Sequence, residues 1–283
     1  MGLKVQEIQR SVGAPGGGPN EDRTGLVPAH GAFFGFVIDG AASPDPTLAT
    51  EDGLAGEWIA ERVASTLVAN AGPGPLRDQL RGAVETVAAS WRAETDEAWP
   101  DWAQPQAAIS LVRLRPAGDG AEGLSIEGLH LGDCAGGILR ADGCVEGLHA
   151  WPGDTAGEAR RLALSEAAHA RMILDLKAAR VLAQEENPPR VLCLDPACAA
   201  GARETSARLG AGDALVLVTP GIARAWTEYG LCTPEEGAQR LAGGGFETLV
   251  DEIRRFERTD YAQRPARLMR AGDDASLLVI GVR

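Results

Sequence analysis

The chain has 283 residues, of which 45% are hydrophobic and 24% are charged. These are ordinary values for a globular protein, and they exclude a disordered or fibrous one. The formal net charge is −13, which makes the chain a poor candidate for binding nucleic acid or an anionic membrane surface, because both need a basic face. No run of about 18 apolar residues could span a bilayer. A charged N-terminal stretch and five cysteines without zinc-ligand spacing predict a cytoplasmic protein with reduced thiols.

The first part of the chain predicts two strands followed by two helices. A weak alternation over 3–12 suits an opening strand, and the apolar run over 32–38 predicts a buried strand that ends at Asp39. Apolar residues then recur at three- and four-residue spacing over 54–70 and over 76–93, which predicts two amphipathic helices. Two consecutive helices with one apolar face each need a sheet to cover.

The rest of the chain predicts hairpins, three helices and a final strand. Hairpin turns and paired helices favour antiparallel sheets covered by helices over a regular βαβ array, so the predicted class is α+β. Neither an internal repeat nor a long linker divides the sequence, and one domain over 1–283 is predicted. The predicted strands are 107–115, 124–131, 136–140, 190–194, 213–218 and 276–282, and the predicted helices are 156–184, 234–242 and 245–257.

Four acidic turns lie next to predicted strands. They are Asn-Glu-Asp at 20–22, Asp-Gly at 39–40, Gly-Asp at 132–133 and Gly-Asp-Asp at 272–274. Any one of them is typical of an ordinary turn. Together, carboxylates at strand ends can converge at one edge of a sheet stack, where Mg²⁺ or Mn²⁺ takes carboxylate and carbonyl oxygens. Two such ions can acidify a shared water and direct it at phosphorus, and no serine has the setting of a covalent nucleophile.

Five motifs in order resemble those of the bacterial-type PPM (2C-type) metal-dependent Ser/Thr protein phosphatases. The resemblance covers the chain from about residue 9 to the last residue. It implies an αββα sandwich, in which two antiparallel sheets are flanked by helix pairs, and this agrees with the elements predicted above. It also implies hydrolysis of phosphoserine or phosphothreonine by a metal-bridging water. The motifs are Asn-Glu-Asp-Arg at 20–23, Phe-Val-Ile-Asp-Gly-Ala at 36–41, Leu-Gly-Asp at 131–133, the segment 212–221, and Asp-Asp-Ala-Ser at 273–276.

The resemblance implies a role for each matching position. Asp39 matches the carboxylate that bridges two Mn²⁺ or Mg²⁺ ions. Glu21 and the carbonyl of Gly40 match ligands of one ion, and Asp273 matches a ligand of the other. Asp133 matches a ligand of a further metal site that many bacterial members have.

Three other positions complete the predicted site. Asp22 matches a carboxylate beside the metals, and with Asp39 and Glu21 it is predicted to be catalytic. The family often places a phosphate-binding Arg just before the Asn-Glu-Asp motif, where this chain has a Pro/Gly loop. Arg10 and Arg23 are the candidate substitutes.

One departure leaves the function open. Where the family has Ser/Thr-Asp-Gly with a metal-binding Asp, this chain has Thr-Pro-Gly at 219–221, and the Pro220 side chain offers no oxygen. One hypothesis is a phosphatase with weakened metal binding that acts on a phosphoprotein substrate. The alternative is a pseudophosphatase that binds a phosphoprotein or a kinase partner and holds at most one ion. A different metal-assisted hydrolysis is the third hypothesis, because a fold alone does not fix a function.

Overall fold

Two antiparallel five-stranded sheets lie at the centre of the molecule. The computed structural model describes residues 5–15, 18–41, 49–50, 53–95, 99–118, 122–150, 166–263 and 272–283. The strands are β1 (Val5–Val12), β2 (Asp22–Ala29), β3 (Ala32–Gly40), β4 (Ala49–Thr50), β5 (Gly53–Leu54), β6 (Ala107–Pro116), β7 (Leu124–Leu131), β8 (Ala135–Leu139), β9 (Val145–His149), β10 (Arg203–Leu209), β11 (Ala214–Val218) and β12 (Ala275–Val282).

The strands of each sheet come from distant parts of the chain. The order in one sheet is β1-β12-β11-β8-β9, and the order in the other is β10-β7-β6-β3-β2. Strands β4 and β5 form a separate two-stranded ribbon. The helices are α1 (Ala55–Ala69), α2 (Leu76–Glu94), α3 (Glu166–Glu185), α4 (Cys198–Gly201), α5 (Pro220–Thr227), α6 (Pro234–Ala242) and α7 (Phe246–Gln263), with a 3-10 turn at Asp101–Ala103.

Alternating side chains of the strands build three apolar layers. In β3, Phe36 and Ile38 pack under α1 and α2, whereas Val37 lies between the two sheets. In β12, Leu277 packs under α5–α7, whereas Leu278 joins the layer between the sheets. This follows from the two-residue period of a strand, which sends successive side chains to opposite faces. Both faces of each sheet are therefore covered, and the predicted α+β sandwich of helix, sheet, sheet and helix is confirmed.

Most predicted elements are present, and the differences have local causes. The predicted strand over 190–194 is wrong, because this segment forms only an isolated bridge between Leu192 and Ala107. Of the predicted helix over 156–184, the part from 166 onward is helical, and 156–165 lies outside the described residues. Strands β2, β4, β5, β9 and β10 are not among the predicted elements. β2 contains Gly25 and Pro28, and β10 is mostly polar, so neither has a strong apolar pattern.

Within the described part of the chain, none of the helices combines the length and the apolar character that crossing a bilayer requires.

Candidate active site

Two carboxyl groups meet where β2 begins and β3 ends. Asp22 and Asp39 are partners in the antiparallel register, so their side chains lie on the same face. Asp22 is buried, and its Oδ2 accepts a hydrogen bond from Thr219 Oγ1 at 2.7 Å. Its Oδ1 is also buried and receives no hydrogen bond from a described N–H or hydroxyl group, and the Asp22 carboxyl group is in contact with that of Asp39. Burial raises the pKa of Asp22 to about 7, although the hydrogen bond from Thr219 opposes this shift.

The Asp39 carboxyl group lies close to the carboxyl groups of three other aspartates. Burial raises the pKa of its carboxyl group well above the usual range, and the carboxylates of Asp22, Asp273 and Asp133 raise it further. These groups come from β2, β3, the turn between β7 and β8, and the segment before β12. The structure therefore brings together four acidic residues that are far apart in the sequence.

Glu21 and Gly40 lie on the α1 side of this cluster, where the backbones pack closely. The Gly40 N–H donates to the Glu21 carbonyl at 3.1 Å. A Cβ atom on Gly40 would lie 2.3 Å from the carbonyl oxygen of Gly56, and one on Gly56 would lie 2.9 Å from Glu21 Oε1. Glycine at both positions lets the first turn of α1 approach the end of β3 and enclose the Glu21 side chain.

Arg180 of α3 lies on the same side of the cluster and is buried. Its Nη2 donates to the Gln104 carbonyl at 3.3 Å, and its Nε donates to Gln106 Oε1 at 3.4 Å. Burial lowers the pKa of Arg180, and the negative charge of Glu21 opposes this shift. A guanidinium group therefore faces Glu21 from the helix layer.

Asp274 holds the Glu21 segment in place. Its Oδ2 accepts a hydrogen bond from the Glu21 N–H at 2.6 Å, and its Oδ1 accepts one from the Ala14 N–H at 2.7 Å. The side chain is buried. Asp274 is thus a positioning residue that fixes the loop before β2 to the start of β12, a role that the sequence motif alone did not assign.

Thr219 links the two sheets at the Thr-Pro-Gly segment. Its buried hydroxyl group donates to Asp22 Oδ2 and accepts a hydrogen bond from the Ser276 N–H at 2.9 Å. The Ser276 hydroxyl group in turn donates to Ser11 Oγ at 2.7 Å. The threonine therefore still positions Asp22, although the next residue is a proline.

Arg224 is a site residue that the sequence reasoning missed. Helix α5 begins at Pro220, and Arg224 follows one turn later, so both lie on the same face of the helix. Its Nη1 forms an ion pair with Asp273 Oδ2 at 2.9 Å, and its Nε lies 3.5 Å from Glu228 Oε1. Although burial acts in the opposite direction, the carboxylates of Asp273, Glu228 and Asp39 raise the pKa of Arg224. The four-residue spacing from the altered motif was the available signal.

Asp133 lies at the solvent-exposed side of the cluster, in the turn between β7 and β8. Gly132 before it has a φ of 77°, a conformation that favours glycine. His149 Nε2 donates to the Gly132 carbonyl at 3.0 Å and so supports the turn. The surrounding protein shields the Asp133 carboxyl group from part of the water and so raises its pKa, whereas the positive charge of Arg224 opposes this shift.

The two candidate phosphate-binding arginines lie in different places. Arg23 donates through Nη1 to the carbonyls of Asn20 at 2.6 Å and Asp22 at 2.8 Å, and through Nε to Glu61 Oε2 at 2.5 Å. It therefore adjoins the cluster and fixes the start of β2 to α1. Arg10 pairs with Glu247 of α7 at 3.0 Å, and among its described contacts there is none with the clustered carboxylates.

The two sides of the cluster differ in how well they fit a divalent cation. On the Asp39 side, the carboxyl groups of Asp22 and Asp39 are in contact, and Asp22 Oδ1 is a buried oxygen without a described donor. Such a pair needs a proton or a cation between its members. On the Asp273 side, Pro220 supplies no oxygen and a guanidinium group already holds the carboxylate. Among the described residues, no three carboxylates or other metal-binding side chains are gathered as ligands around one point. The donor chemistry thus fits one cation on the Asp39 side and does not fit a second on the Asp273 side.

No protein-family model matches the sequence, and no curated protein matches it. By structure, the chain is similar to the serine/threonine phosphatase of S. agalactiae, at 16% identity and a TM-score of 0.52, over 99% of this chain and 100% of that one. It is also similar to the catalytic domain of the phosphatase PstP in complex with two manganese ions, at 17% identity and a TM-score of 0.51, over 99% of both chains. A third similar structure is Stp1 from Staphylococcus aureus, at 14% identity and a TM-score of 0.52, over 100% of this chain and 96% of that one.

Identities this low establish the fold alone. The similarity nevertheless extends over nearly the whole of each chain, and the observed layers are those that the motif resemblance implied. The chain therefore has the fold of the bacterial PPM-type Ser/Thr phosphatases.

Proposed function

We propose that the chain is a phosphoprotein phosphatase of the PPM type that works with one divalent cation. The observation that carries the proposal is the convergence of acidic side chains on Asp39, with Asp22 buried against it. Glu21, Asp39 and the carbonyl of Gly40 would hold the ion, and Mn²⁺ or Mg²⁺ suits these oxygen donors. The manganese-containing PstP structure supports this choice of metal by similarity of fold.

The residues of the chain have separable tasks in this proposal. When bound, the cation would supply positive charge for phosphoryl oxygens and an acidified water. With no cation bound, Asp22 has a pKa of about 7 and can hold a proton at neutral pH, so in this proposal it is the general acid or base of the site. Asp133 lies at the solvent-exposed side of the cluster, and in this proposal it is not a ligand of the one cation and holds no further ion. Arg23 is the proposed phosphate contact because it adjoins Asp22, whereas Arg10 is directed to Glu247.

A second candidate function has its own supporting observation. The ion pair between Arg224 and Asp273, together with the absence of an oxygen on the Pro220 side chain, favours a pseudophosphatase. Such a protein would use the carboxylate site to bind a phosphoprotein or a kinase partner without hydrolysing phosphate. The two candidates differ in whether Mn²⁺ produces turnover.

The deciding experiment is hydrolysis of para-nitrophenyl phosphate and of a phosphothreonine peptide across a Mn²⁺ titration. We expect wild type to turn over both substrates in a Mn²⁺-dependent manner, and Asp39→Asn to lose about 100-fold or more of this activity, since it removes a ligand itself and not only a residue behind one. Asp251→Asn, which changes an exposed acidic residue of α7, is the matched control and should behave as wild type. An inactive wild type whose Pro220→Asp variant gains activity would instead establish the pseudophosphatase.

A further inference from the structure

We infer that the guanidinium group of Arg224 takes the place of a metal ion on the Asp273 side of the carboxylate cluster. The protein then needs one divalent cation fewer than a site with two metals. This inference rests on the proposed function only in treating the cluster as the place where cations bind.

The contacts of Arg224 are those of a charge-neutralising group. Its Nη1 lies 2.9 Å from Asp273 Oδ2, a charge-assisted hydrogen bond of normal length, and Glu228 Oε1 lies 3.5 Å from its Nε. The Arg224 side chain is 27% exposed and that of Asp273 is 23% exposed. Because both are largely shielded from water, the attraction between them is weakened by solvent less than that of an exposed pair.

The backbone fixes Arg224 in this position. Thr219 is the residue before α5, and its side chain is held by Asp22 and Ser276. A Cβ atom on Gly221 would lie 1.8 Å from the Asp274 carbonyl oxygen, so the first turn of α5 is packed directly on the segment that carries Asp273. Arg224 therefore reaches Asp273 from a rigid helix.

Asp273 is held from a second direction as well. Arg254 of α7 is buried, forms an ion pair with Glu257 at 2.8 Å, and donates a hydrogen bond to the Asp273 carbonyl group. The backbone and the side chain of Asp273 thus each have an arginine partner. A metal ion at Asp273 would have to displace the Arg224 guanidinium group, and it would find no carboxylate at position 220 to compensate.

Two features of the sequence therefore act in the same direction. Proline at 220 removes a negative charge that the PPM motif places there, and arginine at 224 adds a positive charge one turn later. Relative to a chain with Asp at 220 and a neutral residue at 224, the local charge is more positive by two. Both changes disfavour a cation at this position and favour the internal ion pair.

The test measures Mn²⁺ binding rather than turnover. Chelator-treated wild type, Arg224→Gln and Arg240→Gln are titrated with Mn²⁺ by calorimetry and by electron paramagnetic resonance of free Mn²⁺. Arg240 is the matched control, because it also pairs with a carboxylate, Glu252 at 2.8 Å, and its side chain is 30% exposed, but it lies on α6. We expect wild type to bind no more than one ion at the cluster. Arg224→Gln should gain a second ion or bind Mn²⁺ about tenfold more tightly, on the scale of changes around metal ligands, and Arg240→Gln should match wild type.

Several outcomes separate this inference from the proposed function. Arg224→Gln with the stoichiometry and affinity of wild type overturns the inference, and so does a wild type that binds two ions at the cluster, even if the variant does not fold. Arg224→Lys keeps the charge and is expected to bind Mn²⁺ as wild type does. If Arg224→Gln gains Mn²⁺ binding while wild type hydrolyses no phosphate, the inference holds and the proposed function fails. If wild type is active and Arg224→Gln binds no more Mn²⁺, the reverse is true.

Discussion

On one side of the carboxylate cluster, Asp22 and Asp39 face each other across the pairing of β2 with β3, whereas on the other side Asp273 is paired with Arg224 at 2.9 Å. The first side contains two acids in contact, and burial raises the pKa of both. The second side contains one acid and one base. Side chains of the same chemical type therefore sit in opposite electrostatic situations within one site.

Two arginines near the cluster, Arg180 and Arg224, differ in whether burial or the nearby carboxylates have the larger effect on their pKa. For Arg180, burial has the larger effect and lowers the pKa in spite of Glu21. For Arg224, the surrounding carboxylates have the larger combined effect and raise the pKa in spite of burial. The Asp273 carboxylate thus has an arginine as its direct partner, whereas the charge of Arg180 acts on Glu21 and leaves the contact between Asp22 and Asp39 to a proton or a cation from solution.

The largest expected effect concerns the pH dependence of stability on the Asp39 side. Asp22 has a pKa of about 7 in the folded protein and 3.8 as a model value, so the folded state binds more protons between these limits. In chelator, the contribution of Asp22 to the free energy of unfolding should therefore rise as the pH falls through 7, by about 4 kcal/mol in total once the pH is below 3.8. Urea denaturation of wild type and Asp22→Asn between pH 8 and pH 4 measures this. Equal pH profiles for the two proteins would contradict the raised pKa of Asp22. Asp251→Asn is the control.

A somewhat smaller change in stability is expected when the packing of the first turn of α5 against Asp274 is disturbed. Gly221→Ala places a Cβ atom 1.8 Å from the Asp274 carbonyl oxygen, and the resulting backbone shift should cost about 2 to 3 kcal/mol. The control is Gly82→Ala in α2, where a Cβ atom meets nothing within 4 Å; there alanine should stabilise the helix by about 0.5 to 1 kcal/mol. Denaturant unfolding of both variants checks the prediction. A Gly221→Ala protein as stable as wild type would mean that α5 is not packed as described.

Removing the Thr219 hydroxyl group, which bonds to both Asp22 and Ser276, should cause a smaller loss of stability than Gly221→Ala. Thr219→Val deletes the donor to Asp22 Oδ2 and the acceptor of the Ser276 N–H, which are both buried. A loss of about 1 to 2 kcal/mol is expected, since a buried polar group then has no partner. Thr227→Val is the control, because Thr227 is an exposed residue whose described hydroxyl bond, to the Ala223 carbonyl, stays within α5. Equal stability of the two variants would argue against Thr219 as the link.

The smallest effect is expected from Arg10. Its ion pair with Glu247 is exposed, with side chains 52% and 65% accessible, so Arg10→Gln should change stability by less than about 0.5 kcal/mol. Inhibition by inorganic phosphate should also be unchanged in Arg10→Gln and weakened in Arg23→Gln. Inhibition constants from the para-nitrophenyl phosphate assay distinguish the two arginines, and weakened inhibition in Arg10→Gln alone would reverse the assignment.

The parts of the fold with a strong apolar pattern could be predicted from the sequence. Strand β3, with Phe36, Val37 and Ile38, is a short continuous apolar run because both of its faces are buried, and helices α1 and α2 have a clear helical period because one face of each is buried. Strand β10 could not be predicted, because an edge strand with mostly polar residues lacks that pattern. The segment at 190–194 looks like a strand, but Pro189 before it and Pro196 after it leave only the bridge at Leu192.

Some residues of the candidate site could likewise be predicted from the sequence, and others could not. Asp39 and Asp273 could be singled out because each adjoins an apolar strand in a recognisable motif. The departure at Pro220 could also be read from the sequence. The contact of Arg224 with Asp273 could not, because it depends on how α5 packs against the segment before β12. The role of Asp274 in holding Glu21 depends on the approach of two segments that lie 253 positions apart.

The pairing of β1 with β12 has a consequence for how the molecule forms. These strands are the first and the last in chain order, and Val5 pairs with Val282. During synthesis, β1 is therefore made long before β12, the strand it pairs with. Folding that depends on pairing between such distant segments is slow. The hydrogen bond from the Glu21 N–H to Asp274 can form only when the segment before β12 is present. Because Asp273 lies just before β12, the carboxylate cluster can be complete only after this last strand segment has been made, and a chain that ends before it lacks one of the four carboxylates.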